Sequence, residues 1–156
     1  MGRFPIFQSP KLDAAEQRMK PSPTFGHGFM GDDSRKLIQI LNDDQKAVKA
    51  LGLTDELIAE KLRVITEKAK GGFGDPVLVD GKFEVKAEGA RGKLPCPWDH
   101  PGLCNKTYIV LKKIETGETL VWSDLAVHMI EEHGFYQGKG SPYRIEPHMV
   151  KKILEL

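Results

Sequence analysis

The stretch Val77-Leu78-Val79-Asp80-Gly81-Lys82-Phe83-Glu84-Val85-Lys86-Ala87-Glu88 decides the fold class. Phe83, Val85 and Ala87 alternate with Lys82, Glu84, Lys86 and Glu88, a period of two that belongs to a strand with one dry and one wet face. Asp80-Gly81 is a dipeptide that closes a tight hairpin turn, so this stretch predicts two antiparallel strands. Upstream the period is helical. Ile58, Leu62, Ile65 and Ala69 make one stripe, Thr54 stands at the N-cap and Gly71-Gly72 stops the helix near Lys70. An earlier helix is predicted over 34–51, capped by Asp33 or Ser34, with Leu37, Ile38, Leu41, Val48 and Leu51 on one face. Polar Asp44 and Gln45 interrupt that face, which predicts a bend or local exposure. The link Gly52-Leu53 is short, so the two helices form a sharply turned pair.

Downstream, 108–114 and 118–122 read as a second hairpin around Thr116-Gly117. Ser123 or Asp124 then caps a short helix that ends at His133 before Gly134, and Pro147 opens a final helix through Leu156. Residues 89–106 form a Gly/Pro-rich connection. The expected fold is α+β: an N-terminal helical pair, two β-hairpins, a short His-bearing helix and a C-terminal helix. Three stretches follow: an extended segment over 1–33, the helical pair over 34–72, and a hairpin module with its terminal helix over 73–156, packed as one unit with 34–72. The first stretch is rich in helix breakers, with one short helix predicted over 12–19 and aromatic side chains that suit wrapping onto the body.

Composition excludes several classes. The chain has 156 residues with 23 Lys and Arg against 22 Asp and Glu, a net charge of +1, too balanced for bulk electrostatic coating of nucleic acid. The first thirty residues carry four basic and two acidic groups, whereas 73–156 carries 11 basic and 12 acidic, so the later half has no broad positive field. No apolar run reaches the roughly 18 residues a spanning helix needs, and the start lacks a signal-peptide pattern, so a soluble cytoplasmic protein is expected. In that compartment the two cysteines are thiols or metal ligands before they are a disulfide.

Cys96 and Cys104 are separated by seven residues, and His128 and His133 by four. Pro95, Pro97, Pro101 and Gly102 bend the cysteine segment, and the following hairpin returns the chain to the helix that bears both histidines. Two soft thiolates and two imidazoles suit tetrahedral zinc. Asp99 and His100, inside the bend, are substitute ligands. Histidines five apart sit about 140° around an ideal helix. The last turn is therefore expected to loosen before Gly134 and swing His133 toward the ion. The competing readings are cysteines buried as small hydrophobes near Trp98, and His133 as a partner of its helix dipole.

Residues 96–133 loosely resemble a C2H2 zinc finger. The His-x4-His pair lies within that family's spacing. The Cys-x7-Cys spacing is wider, and the 23 residues from Cys104 to His128 exceed the usual linker. The resemblance implies metal ligation at these four positions and no reading of DNA. Four protein ligands close a zinc ion to water, so the zinc is expected to be structural. The expected function is a non-enzymatic, zinc-stabilised binding or accessory protein. Its partner is another protein or a second copy of itself.

Two other classes compete. Phe135, Tyr136, Lys139, Tyr143 and Arg144 interleave aromatics and cations in loop 135–144, a pattern that can stack a base or hold a phosphate. The same aromatics can anchor the loop to the body, which is the favoured reading. A small zinc-dependent hydrolase is the third class. His128-Met-Ile-Glu-Glu-His133 is one residue longer than the inverted His-x-x-Glu-His motif, which turns the second histidine off the first one's face.

Overall fold

The computed structural model of the chain describes residues 8–20, 29–98, 103–141 and 143–156. The elements run α1 (Pro10–Met19), α2 (Leu37–Ala50), α3 (Asp55–Lys70), β1 (Val77–Val79), β2 (Phe83–Pro95), β3 (Leu103–Lys113), β4 (Thr119–Ser123), α4 (Asp124–His133) and α5 (Pro147–Leu154). The fold is α+β. Its four strands form an antiparallel meander in the order β1-β2-β3-β4.

The first turn is tight: Asp80 and Gly81 both take positive φ, and Lys82 N donates to the Val79 carbonyl at 3.1 Å. Pairing then runs Val79↔Phe83 and Val77↔Val85. Phe83, Val85 and Ala87 are buried while Lys82, Glu84, Lys86 and Glu88 face water, as the alternation requires. The segment 89–106 departs from its expected role as a mere connection. β2 and β3 stay paired past Gly89↔Thr107, shift register, and pair again from Lys93↔Asn105 to Pro95↔Leu103. The two predicted hairpins are thus joined by a third and longer one, whose far end carries Cys96. The register shift absorbs the extra residues that periodicity alone cannot place.

Two apolar clusters flank α4. The larger lies between the sheet, α3, α4 and α5, with Trp122, Ile109, Leu111, Ile65 and Val150 fully buried. Trp122 Nε1 donates to Thr66 Oγ1 at 2.8 Å, and Thr66 donates onward to the Leu62 carbonyl at 2.7 Å, so the buried indole is satisfied. The smaller cluster joins Leu12, Ala15 and Met19 of α1 to Leu37, Ile40 and Leu41 of α2, to Leu125 and Met129 of α4, and to Cys96 and Phe135. α2 and α3 are consecutive, but their main packing lies elsewhere. α3 leans on α4 and the sheet, and α2 on α1 and α5.

Thr54 Oγ1 accepts from Leu57 N at 3.1 Å, so α3 is capped as the sequence predicts. α2 is not. Neither Asp33 nor Ser34 caps it, and the N-cap position, Lys36, makes no side-chain cap. Glu16 Oε1 accepts from Leu37 N at 2.7 Å and Gln8 Oε1 accepts from Ile38 N at 3.1 Å, so α1 and its approach supply the cap from a distance. Glu16 is 1% exposed, a buried carboxylate held by this donor and by Lys20 and Lys36 at 3.8 and 3.7 Å. Asp33 is already engaged by Arg35 and by Lys139 N.

Asp44 is buried, not exposed as its polarity predicts. Arg144 forks onto it with Nη2–Oδ1 at 2.8 Å and Nη1–Oδ2 at 3.0 Å. The same guanidinium reaches Glu146 at 2.6 Å and the Gln137 carbonyl at 2.5 Å. No helix among the described residues is long and apolar enough to cross a membrane.

Candidate metal centre

α4 begins where Ser123 Oγ accepts from Ala126 N at 3.1 Å and ends at Gly134 in the left-handed region, φ 63°. Leu125 and Met129 commit one side to the smaller cluster, and Ala126, Val127 and Ile130 commit another to the larger one. This double burial fixes the helix about its axis and sets where His128 and His133 stand.

Cys96 follows directly on the last residue of β2 and is buried. One ligand atom each from Cys96, His128 and His133 lies within 4.8 Å of the others. Cys96 Sγ is 3.3 Å from His133 Nε2, and the two imidazole rings stand 5.5 Å apart at 76°. Bonds of zinc length in tetrahedral geometry separate neighbouring ligand atoms by about 3.3–3.8 Å. One pair already meets that separation. The group could hold a metal ion. The last turn of α4 does not loosen to achieve this. It stays helical through His133, with Gly134 N bonded to the Ile130 carbonyl at 3.0 Å.

The structure brings together three of the four expected ligands. Cys104 does not join the group. It pairs with Leu94 across the β2–β3 ladder and packs, half-buried, against the same cluster as Cys96. Burial, with the Asp124 carboxylate adding to it, pushes the Cys104 thiol above its ordinary value, so it is protonated near neutrality without a metal. Asp99 and His100 lie outside the described residues.

Sequence reasoning gave Trp98 too small a part. Its indole stacks on His133 with centroids 4.1 Å apart and planes within 5°, and meets Phe135 edge-on at 5.4 Å. The stack fixes the ring plane of a candidate ligand. The Pro97-Trp98 pair after Cys96 was its signal. Behind it, Arg18 Nη1 of α1 donates to the Pro97 carbonyl at 2.6 Å. A cavity of about 200 Å³ opens between α3 and α4 beside His128, walled in part by Thr66, Asp124 and Glu131. Arg63–Glu131 at 2.5 Å and Lys70–Asp124 at 3.1 Å are ion pairs between its two helices.

Loop 135–144 is anchored by its aromatics. Phe135 and Tyr136 are each 1% exposed, and Tyr136 donates to Asp55 Oδ1 at 2.7 Å. Arg144 lies within the ion-pair cluster with Asp44. Tyr143 stacks on Tyr108 at 4.8 Å, and Lys139 is exposed. The Gly-x-Gly at 138–140 has a packing cause: a Cβ on Gly138 would overlap the Met30 carbonyl, and one on Gly140 would overlap Asp32. Two backbones touch there, with Gly138 N donating to the Phe29 carbonyl at 2.8 Å.

No family model, curated protein or solved structure matches the chain.

Proposed function

We propose that the chain is a zinc-stabilised binding or accessory protein, with a structural zinc ion held by Cys96, His128, His133 and Cys104. The convergence of Cys96, His128 and His133 within 4.8 Å carries this reading. One thiolate and two imidazoles at this separation favour zinc over the hard cations, which want oxygen donors. Cys104 is the ligand of choice for the fourth position because it packs against the same cluster from the neighbouring strand. A closed Cys2His2 set leaves no position for water, so the ion contributes to folding by tying the end of the long hairpin to α4. The work of the protein is then recognition, and its partner another protein or a second copy.

One observation favours a second reading. With Cys104 outside the group, three donors leave one position open, and the cavity beside His128 gives a small molecule room to approach. That would make the site a hydrolase centre in which Glu132 is the base to test. Cobalt substitution separates the two. Two thiolates on the metal give roughly twice the sulfur-to-cobalt charge-transfer intensity of one, and Cys104→Ser halves it only if the site is closed.

A further inference from the structure

The smaller apolar cluster is built on the metal centre. α1 contributes Leu12, Ala15 and Met19 to it, and Cys96 is a member of the same cluster, with Trp98 packed against it. α1 is fastened at two points besides this packing. Glu16 accepts from Leu37 N, and Arg18 Nη1 donates to the carbonyl of Pro97, the residue between Cys96 and Trp98. Met19 is fully buried, and its carbonyl accepts from both Phe29 N at 3.0 Å and Met30 N at 3.2 Å, so residues 29 and 30 are tied to the C-terminal end of α1. Residues 96–98 thus form a shelf that meets His133 through Cys96 and Trp98, and α1 through the Pro97 carbonyl and the shared apolar cluster.

From this geometry we infer that metal binding and docking of the N-terminal helix α1 are thermodynamically coupled through residues 96–98. The inference rests on the metal-site reading above. An ion that holds Cys96 and His133 together fixes the Pro97 carbonyl and the Trp98 ring in the positions that α1 uses. Without it, the shelf relaxes and α1 loses its Arg18 tether and part of its apolar contact. Linkage makes the effect reciprocal: whatever loosens α1 must weaken the metal by the same factor. A residue that donates nothing to the metal therefore controls its affinity.

The test is the zinc affinity of the full-length Arg18→Ala protein, measured by competition with a chromophoric chelator beside the parent chain. Amide exchange over α1 and α5 is followed in the same samples. Coupling predicts zinc binding weaker by about five-fold or more, with faster exchange in α1 and unchanged exchange in α5. Charge alone predicts the opposite direction, since removing a cation favours a nearby dication. Equal affinity despite faster α1 exchange would overturn the coupling and leave the metal site standing. A parent chain that binds no zinc would remove the metal reading, and the coupling with it. Loss of protection in α5 together with α1 would also overturn it, by showing general unfolding in place of a local release.

Discussion

Asp44 and Arg144, a hundred residues apart, meet as a buried two-pronged ion pair whose side chains are only 5% and 7% exposed. α2 supplies the acid and the segment before α5 supplies the base, so the pair locks the first helices to the end of the chain. Burial pushes the Asp44 carboxyl upward, and the Arg144 guanidinium opposes this. Removing one partner strands the other in a site it cannot leave. Arg144→Ala is expected to destabilise the fold by about 3 kcal/mol, read from the urea midpoint. The double variant Asp44→Leu with Arg144→Met should lose clearly less than the single one. Equal losses would mean that the charges are not what the site depends on.

Asp33 sets a pH dependence. Burial would raise its carboxyl, but Arg35, hydrogen bonds from the Lys139 and Arg35 backbone, and the Arg35 charge together lower it from 3.8 to about 2. A group depressed in the folded state stabilises the fold above its unfolded value and loses that contribution as the pH falls. Asp33 therefore contributes about 2 kcal/mol above pH ~4, fading toward pH ~2. Urea denaturation from pH 5 down to 2 checks this: the parent and Asp33→Asn curves should converge as the pH drops. Parallel curves would exclude the proposed depression.

Gly138 is where two backbones touch. Gly138→Ala drives a methyl group into the Met30 carbonyl and is expected to cost about 2 kcal/mol or more, because backbone cannot step aside. Gly89→Ala meets open space and sits at an ordinary φ, so its thermal midpoint should match the parent's or slightly exceed it. Similar losses at both positions would show that loop contact is not the cause.

Trp98 reports on the metal. Its stack on His133 predicts a change in its emission when zinc binds, while Trp122, fully buried and bonded to Thr66, stays constant. Trp98→Phe should abolish the zinc-dependent change and keep most of the affinity. Trp98→Ala should weaken zinc about ten-fold. A zinc response that persists in Trp98→Phe would place the reporter elsewhere.

Local chemistry was legible in the sequence where one residue does one job. Thr54 caps α3, Ser123 caps α4, Gly134 ends it and Pro147 opens α5. The same kind of signal failed at Asp33, a good cap by type, because Arg35 and Lys139 claim its oxygens while Glu16 and Gln8 reach α2 from another segment. Asp44 failed for a related reason: its partner lies a hundred residues away, and no local pattern announces it. The Cys/His/His cluster was legible as residue types and spacing. That Cys96 stands within 4.8 Å of both histidines while Cys104 stands on the paired strand was not, because the β2–β3 pairing across 89–106 is interrupted by a register shift that no local pattern announces.

Whether Cys96, His128 and His133 hold zinc is decided by metal analysis of the full chain. Protein purified without added metal should carry one zinc per chain. That content should fall to a small fraction in Cys96→Ser and in His133→Ala, since each removes a member of the converging group. A parent chain free of metal and unable to take up zinc, or a Cys96→Ser protein that keeps its full zinc content, would rule out a zinc site at these residues.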